Sequence, residues 1–180
     1  MIVAAIDTET TGLIESRLMR LELQPHVIQF AGVVVDLDGG KILDELELMI
    51  KPPRLDLVTK KITDLTGITR EMLAQARPFS AYAEDVYNLI ESAPCVAAHN
   101  LTFDAAMIDL EGERIGKKVE WPERRICTVE QSVHLKGYNP DLTTLHQFLL
   151  GDKFEMAHTA GADVRALVAC LVEMRRREMI

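Results

Sequence analysis

Hydrophobic and polar positions along this chain fall into runs whose period changes. Ile2 to Asp7 is short and almost wholly apolar, too short for an amphipathic helix, and predicts a buried strand. His26 to Asp36 (HVIQFAGVVVD) is β-branched and apolar and predicts a second. Asp36 to Gly40 (DLDGG) signals a hairpin turn. From Leu43 to Ile50 the pattern alternates: Leu46, Leu48 and Ile50 against Glu45, Glu47 and Met49. That is a third strand with one wetter face, so three antiparallel strands open the fold. The tandem prolines of KPPR end it.

The period then becomes helical. TDLTGITREML reads as short helical turns broken at Gly67, with Thr69 as a cap. Phe79, Tyr82, Ala83, Val86, Leu89 and Ile90 predict an amphipathic helix over Ser80 to Ser92. Cys95 to Ala98 is a short apolar strand, followed by a helix over Thr102 to Arg114. WPERRICTV holds a last short strand, and helices follow over Val129 to Lys136 and Leu142 to Leu150. A long final helix has Val164, Leu167, Val168, Leu171 and Met174 on one face. With no repeat, low-complexity tract or linker, the expectation is one α/β domain over residues 1–180.

Composition narrows the class. The 180 residues are 48% hydrophobic and 27% charged, ordinary for a globular protein. No apolar run reaches the roughly 20 residues of a membrane helix, and no basic-then-apolar start suggests a signal peptide, so no membrane partner is expected. Cys95, Cys127 and Cys170 are far apart and form no CxxC pair, which reads as core residues in a reducing compartment, the cytoplasm. The net charge of −8 argues against an extended basic grip on duplex DNA. It does not exclude nucleic acid held at a metal site, where cations supply the local charge.

The opening run ends in a pair of acids. Asp7 and Glu9 share one face of a strand with roots about 6.5–7 Å apart, and the next basic residue is Arg17. Converging carboxylates repel, and a hard divalent cation resolves the repulsion. Taken alone, the pair is equally a solvated strand end. In AHNLTFDAA, Asp104 sits in a first helical turn, where the helix dipole alone favours an acid, and His99 is a candidate for hydrogen bonding to nearby backbone. In AHTAGADV, His158 and Asp163 would lie about 140° apart on one helix. They share a site only if His158 precedes the helix and Thr159 caps it.

Asp7-Thr-Glu9-Thr-Thr-Gly12, His99-Asn100-Leu-Thr-Phe103-Asp104 and His158-Thr-Ala-Gly-Ala-Asp163, in this order, resemble the three motifs of the DnaQ-like DEDDh 3′–5′ exonucleases. LTGITREML and ICTVEQSVHL look like further segments of that family, and the resemblance runs from Ile2 to about Leu171. It implies a ribonuclease H-like fold, a mixed five-stranded sheet flanked by helices. It implies a metal-binding tetrad of Asp7, Glu9, Asp104 and Asp163, holding two Mg²⁺ or Mn²⁺ ions, with His158 as general base. Thr10, Thr11, Gly12 and Leu13 would meet the terminal nucleotide on one side, and Asn100 and Phe103 on the other.

Two departures stand out. Gln29 replaces a frequent Glu, in a supporting position, and Ile14 to Pro25 lengthens a connection, which reads as a loop extension in preference to a contact with substrate or a partner. The implied activity is hydrolysis of single-stranded DNA 3′ ends to nucleoside 5′-monophosphates, in proofreading or repair. An exoribonuclease of the same superfamily and a catalytically silent nucleic-acid-binding module are the alternatives. A DNA polymerase is a candidate partner. The basic MRRRE near the C-terminus complements a helix dipole as readily as it marks a nucleic-acid tail.

Overall fold

A computed structural model of the chain describes residues 1–14, 20–152, 154 and 159–180, the side chains at 134–136 excepted. Strand β1, Ile2–Thr10, runs past the expected end at Asp7 because its ladder to the second strand continues through Glu9 opposite Gln29. That strand, β2, spans Val27–Asp36 and pairs antiparallel with both β1 and the edge strand β3, Lys41–Met49. On the other side β1 pairs parallel with β4, Cys95–Ala98, which pairs parallel with β5, Arg124–Cys127. The sheet is mixed and five-stranded, in the order β3-β2-β1-β4-β5.

The helices are α1 (Lys60–Thr66), α2 (Arg70–Ala74), α3 (Ala83–Glu91), α4 (Leu101–Ile115), α5 (Thr128–Lys136), α6 (Leu142–Leu150) and α7 (Ala160–Arg176). Thr69 caps α2 by accepting from the Met72 amide at 3.3 Å, and the break at Gly67 is a left-handed residue closing α1. The helix expected from Ser80 begins as a separate 3₁₀ turn at Phe79–Ala81 and becomes α-helical only at Ala83.

Alternation along β1 sorts the core into two layers. Ala4 and Ile6 join Phe30, Val86, Ile90, Met107 and Ile108 on the side of α3 and α4. Val3 and Ala5 join Val33, Val35, Val164, Leu167 and Leu171 on the side of α7. Leu46 and Leu48 pack on the first layer, so the alternation read along β3 holds. The three cysteines are buried free thiols. Among the described residues no helix is long and apolar enough to cross a membrane.

The described end of the Ile14 to Pro25 segment is fastened from α4. Arg114 donates through Nη2 to the carbonyls of Leu21, Gln24 and Pro25 at 3.2, 3.0 and 2.9 Å. The basic residues at the C-terminal end of α7 are also engaged within the chain. Arg175 pairs with Asp38, and Arg176 and Arg177 both pair with Glu173.

Candidate active site

The two faces of β1 determine how the acids are distributed. Asp7 and Glu9 continue the odd-numbered set that packs toward α7, and Asp163 stands in the first turn of that helix. Asp7, Glu9 and Asp163 each offer a carboxylate oxygen, and these oxygens lie within 4.8 Å of one another. Thr8 belongs to the even-numbered set that faces α4, and its Oγ1 donates to Asp104 Oδ1 at 2.7 Å. Asp104 is 3% exposed and stands on the other side of the strand end, close enough to act on Asp7 by charge. The structure thus brings together three of the acids singled out in the sequence, and the fourth approaches from the opposite layer. His158 lies outside the described residues.

Electrostatically the edge is strained. Burial, followed by the charges of Asp104, Asp163 and Glu9, pushes Asp7 well above the usual carboxylate range. Burial and the charges of Asp163 and Asp104 push Glu9 up to about 8. Burial pushes Asp104 up to about 7, against the hydrogen bond from Thr8, which favours the ionised form. Carboxylates so placed hold protons near neutral pH unless a cation takes their place. Three hard oxygen donors at this spacing fit a divalent ion such as Mg²⁺ or Mn²⁺.

The turn after β1 is pinned at both ends. Thr10 Oγ1 donates to the Gly12 carbonyl at 2.7 Å. Thr11 accepts at Oγ1 from the His26 amide at 2.9 Å and donates its own amide to the His26 carbonyl at 2.9 Å. Leu13, projecting from this rigid turn, is 77% exposed. Asn100 lies across the β1–β4 pair at the N-cap of α4, in the left-handed region at φ 79°. Asn is among the side chains that tolerate that region, and with His99 it makes the two-residue turn from β4 into α4. Phe103 is half-buried, packed on the first core layer.

His99 proves to be a brace. Its Nδ1 pairs with Thr128 Oγ1 at 2.9 Å and its Nε2 with the Pro140 carbonyl at 3.0 Å, and burial lowers its pKa. Sequence reasoning missed Thr8, whose signal was the parity of β1. It also missed the bonding of Gln29, which is buried against α7: its Oε1 accepts from the Ala160 amide at 3.0 Å, and its Nε2 donates to Glu47 Oε1 at 3.1 Å.

Comparison with known proteins agrees with this arrangement. The sequence profile of the family described as Exonuclease (RNase_T) matches residues 4–171. The 3′-5′ exonuclease DinG of Bacillus subtilis is 33% identical over 111 residues, covering 62% of this chain and 11% of that protein. The PolC-type DNA polymerase III of Thermotoga maritima is 29% identical over 140 residues, covering 76% of this chain and 9% of that protein. The chain therefore spans about a tenth of the length of these relatives. It spans 48% of the DNA polymerase III subunit epsilon of Haemophilus influenzae, at 29% identity and 72% of this chain.

Among solved structures, cell-death related nuclease 4 superposes with a TM-score of 0.80 at 16% identity, over 98% of this chain and 64% of that one. The nuclease domain of 3′hExo, a DEDDh family member, superposes at 0.77 with 15% identity, over 98% and 92%. These likenesses show the fold, which is ribonuclease H-like. With the profile spanning nearly its whole length, the chain belongs to the exonuclease family of DnaQ-like 3′–5′ exonucleases.

Proposed function

We propose that the chain is a metal-dependent 3′–5′ exodeoxyribonuclease, releasing nucleoside 5′-monophosphates from single-stranded DNA ends. The observation that carries this reading is the convergence of Asp7, Glu9 and Asp163 within 4.8 Å, with Asp104 acting on Asp7 and Glu9 from across the strand. Asp7, Glu9, Asp104 and Asp163 would hold two Mg²⁺ or Mn²⁺ ions. Bound there, the ions would lower the water pKa and stabilise charge on the leaving 3′-oxygen.

The chain's own residues do the rest. His158 takes the proton of the attacking water, a contribution of about 10²–10⁴-fold for a positioned base. Leu13 wedges against the terminal base, and its exposure on a pinned turn suits that role. The Thr10 to Gly12 main chain seats the terminal nucleotide, while Asn100 and Phe103 close the other side. Apolar wedging and stacking accept any base, which suits a sequence-independent enzyme.

The preference for DNA rests on the DTETTG opening and on relatives named as DNA polymerase III proteins. Those relatives also support a polymerase as partner, which copurification tests. Labelled single-stranded DNA and RNA, incubated with Mg²⁺, Mn²⁺ or EDTA, discriminate the readings. Metal-dependent loss of 3′-terminal nucleotides from DNA is expected. Faster trimming of RNA reassigns the substrate, and no metal-dependent cleavage of either polymer leaves a silent binding module.

A further inference from the structure

The start of α7 is held from an edge strand that the chemistry does not use. Gln29 on β2 lies opposite Glu9 in the ladder, on the α7 side of the sheet, and is 1% exposed. Its amide has one acceptor and one donor end, and both are committed: Oε1 to the Ala160 amide, Nε2 to Glu47. An amide can sit either way round. The Glu47 carboxylate only accepts, so it draws Nε2 to itself and leaves Oε1 for Ala160. Turned the other way, Nε2–H would face the Ala160 N–H, and the first turn of α7 would lose its anchor.

Glu47 reaches this position from β3, where it pairs opposite Ala31. Its carboxylate lies against the α-carbon of Gly161, so closely that a β-carbon built there would come within 2.4 Å of both carboxylate oxygens. Arg165, one turn further along α7, approaches the same carboxylate at 3.6 Å and donates to the Gly161 carbonyl at 3.1 Å. The two outer members, Glu47 and Arg165, are exposed, and such a pair contributes little stability by itself.

We infer that Glu47 is a positioning residue for the candidate metal site: by fixing which way Gln29 faces, it sets the first turn of α7, and with it Asp163, against Glu9. Gly161 is part of the same device, because only a residue without a side chain leaves the carboxylate its place. The inference rests on the metal reading proposed above, and its test separates the two.

Glu47→Ala and Glu47→Gln remove the same charge, so any general electrostatic effect on a bound cation is common to both. Only Gln retains an acceptor for Gln29 Nε2. Titration of the full chain with Mn²⁺, read by calorimetry, should show affinity weakened about tenfold in Glu47→Ala, in line with other supports of metal ligands, and within about twofold of the parent in Glu47→Gln. Gly161→Ala, which displaces the carboxylate while favouring the helix, should reproduce the loss without lowering the melting temperature.

Hydrogen exchange at the Ala160 amide, measured without metal, should accelerate in Glu47→Ala and not in Glu47→Gln. Equal Mn²⁺ affinities in parent and Glu47→Ala, or equal losses in Ala and Gln, overturn the inference. A parent chain that binds no Mn²⁺ sinks the metal reading instead. Ala160 exchange then decides whether Glu47 holds the helix, and unchanged exchange in Glu47→Ala overturns that too.

Discussion

Two places in this chain sequester carboxylates, and they do so by opposite means. Glu111, 5% exposed on α4, is met from three directions at one oxygen: His26 Nδ1 donates at 3.1 Å, the Val27 amide at 3.1 Å and Arg114 Nη1 at 2.9 Å. Asp7 and Glu9, at the end of β1, are pushed upward by burial and then by the charges of further carboxylates. A cluster satisfied from within the chain fixes structure: it ties α4 to β2 and to residues 21–25. A cluster whose charges add suits a cation from outside, and it is the candidate for chemistry.

The sharpest test of that contrast is Asp7→Ala. Metal-dependent nuclease turnover should fall below detection, while the melting temperature stays level or rises as repulsion is relieved. A collapsed melting curve would make Asp7 structural and erase the distinction. Next, His158→Ala should lower turnover by about 10²–10⁴-fold with Mn²⁺ affinity retained. Unchanged turnover across neutral pH would remove it as base.

Glu111→Ala tests the other cluster. Removing one partner of a buried pair strands Arg114 and His26, and a loss of about 3–5 kcal/mol in urea unfolding is expected, with Mn²⁺ affinity preserved. Stability like that of the parent would show that Glu111 is no keystone.

The smallest effect is pH dependence. Glu9 ionises near 8 in the folded chain and at the ordinary lower value when unfolded. The folded state therefore holds the extra proton between those values, and the penalty of ionisation fades as pH falls from about 8 toward about 5. In EDTA the melting temperature should rise over that interval relative to Glu9→Gln, and Mg²⁺ should flatten the difference. A parallel course in the two proteins would mean that Glu9 ionises at its ordinary value in the folded chain.

Most of the architecture was readable because period and parity are local. The alternation of β3 and the apolar run of β2 were visible without neighbours, and the parity of Asp7 and Glu9 followed from the strand they end. Other contacts join residues with no periodic relation. Thr8 meets Asp104 across 96 positions and Gln29 meets Ala160 across 131, so neither leaves a local signature. Glu111 read as one more acid on a helix, because nothing nearby in sequence announces that His26 will lie against it. The resemblance supplied the order of the acids. The structure adds that they approach β1 from two layers, which spacing alone does not contain.

β1 lies in the middle of the sheet, antiparallel to one neighbour and parallel to the other, while α7 follows the other described elements along the chain. Parallel pairing and the docking of a distant helix are both late events in folding, since long loops must close first. Residues 7 and 163 therefore meet only when the first strand and the final helix are both seated. A partly folded chain carries the acids but not their convergence, so the candidate metal site comes into being only as folding is finished.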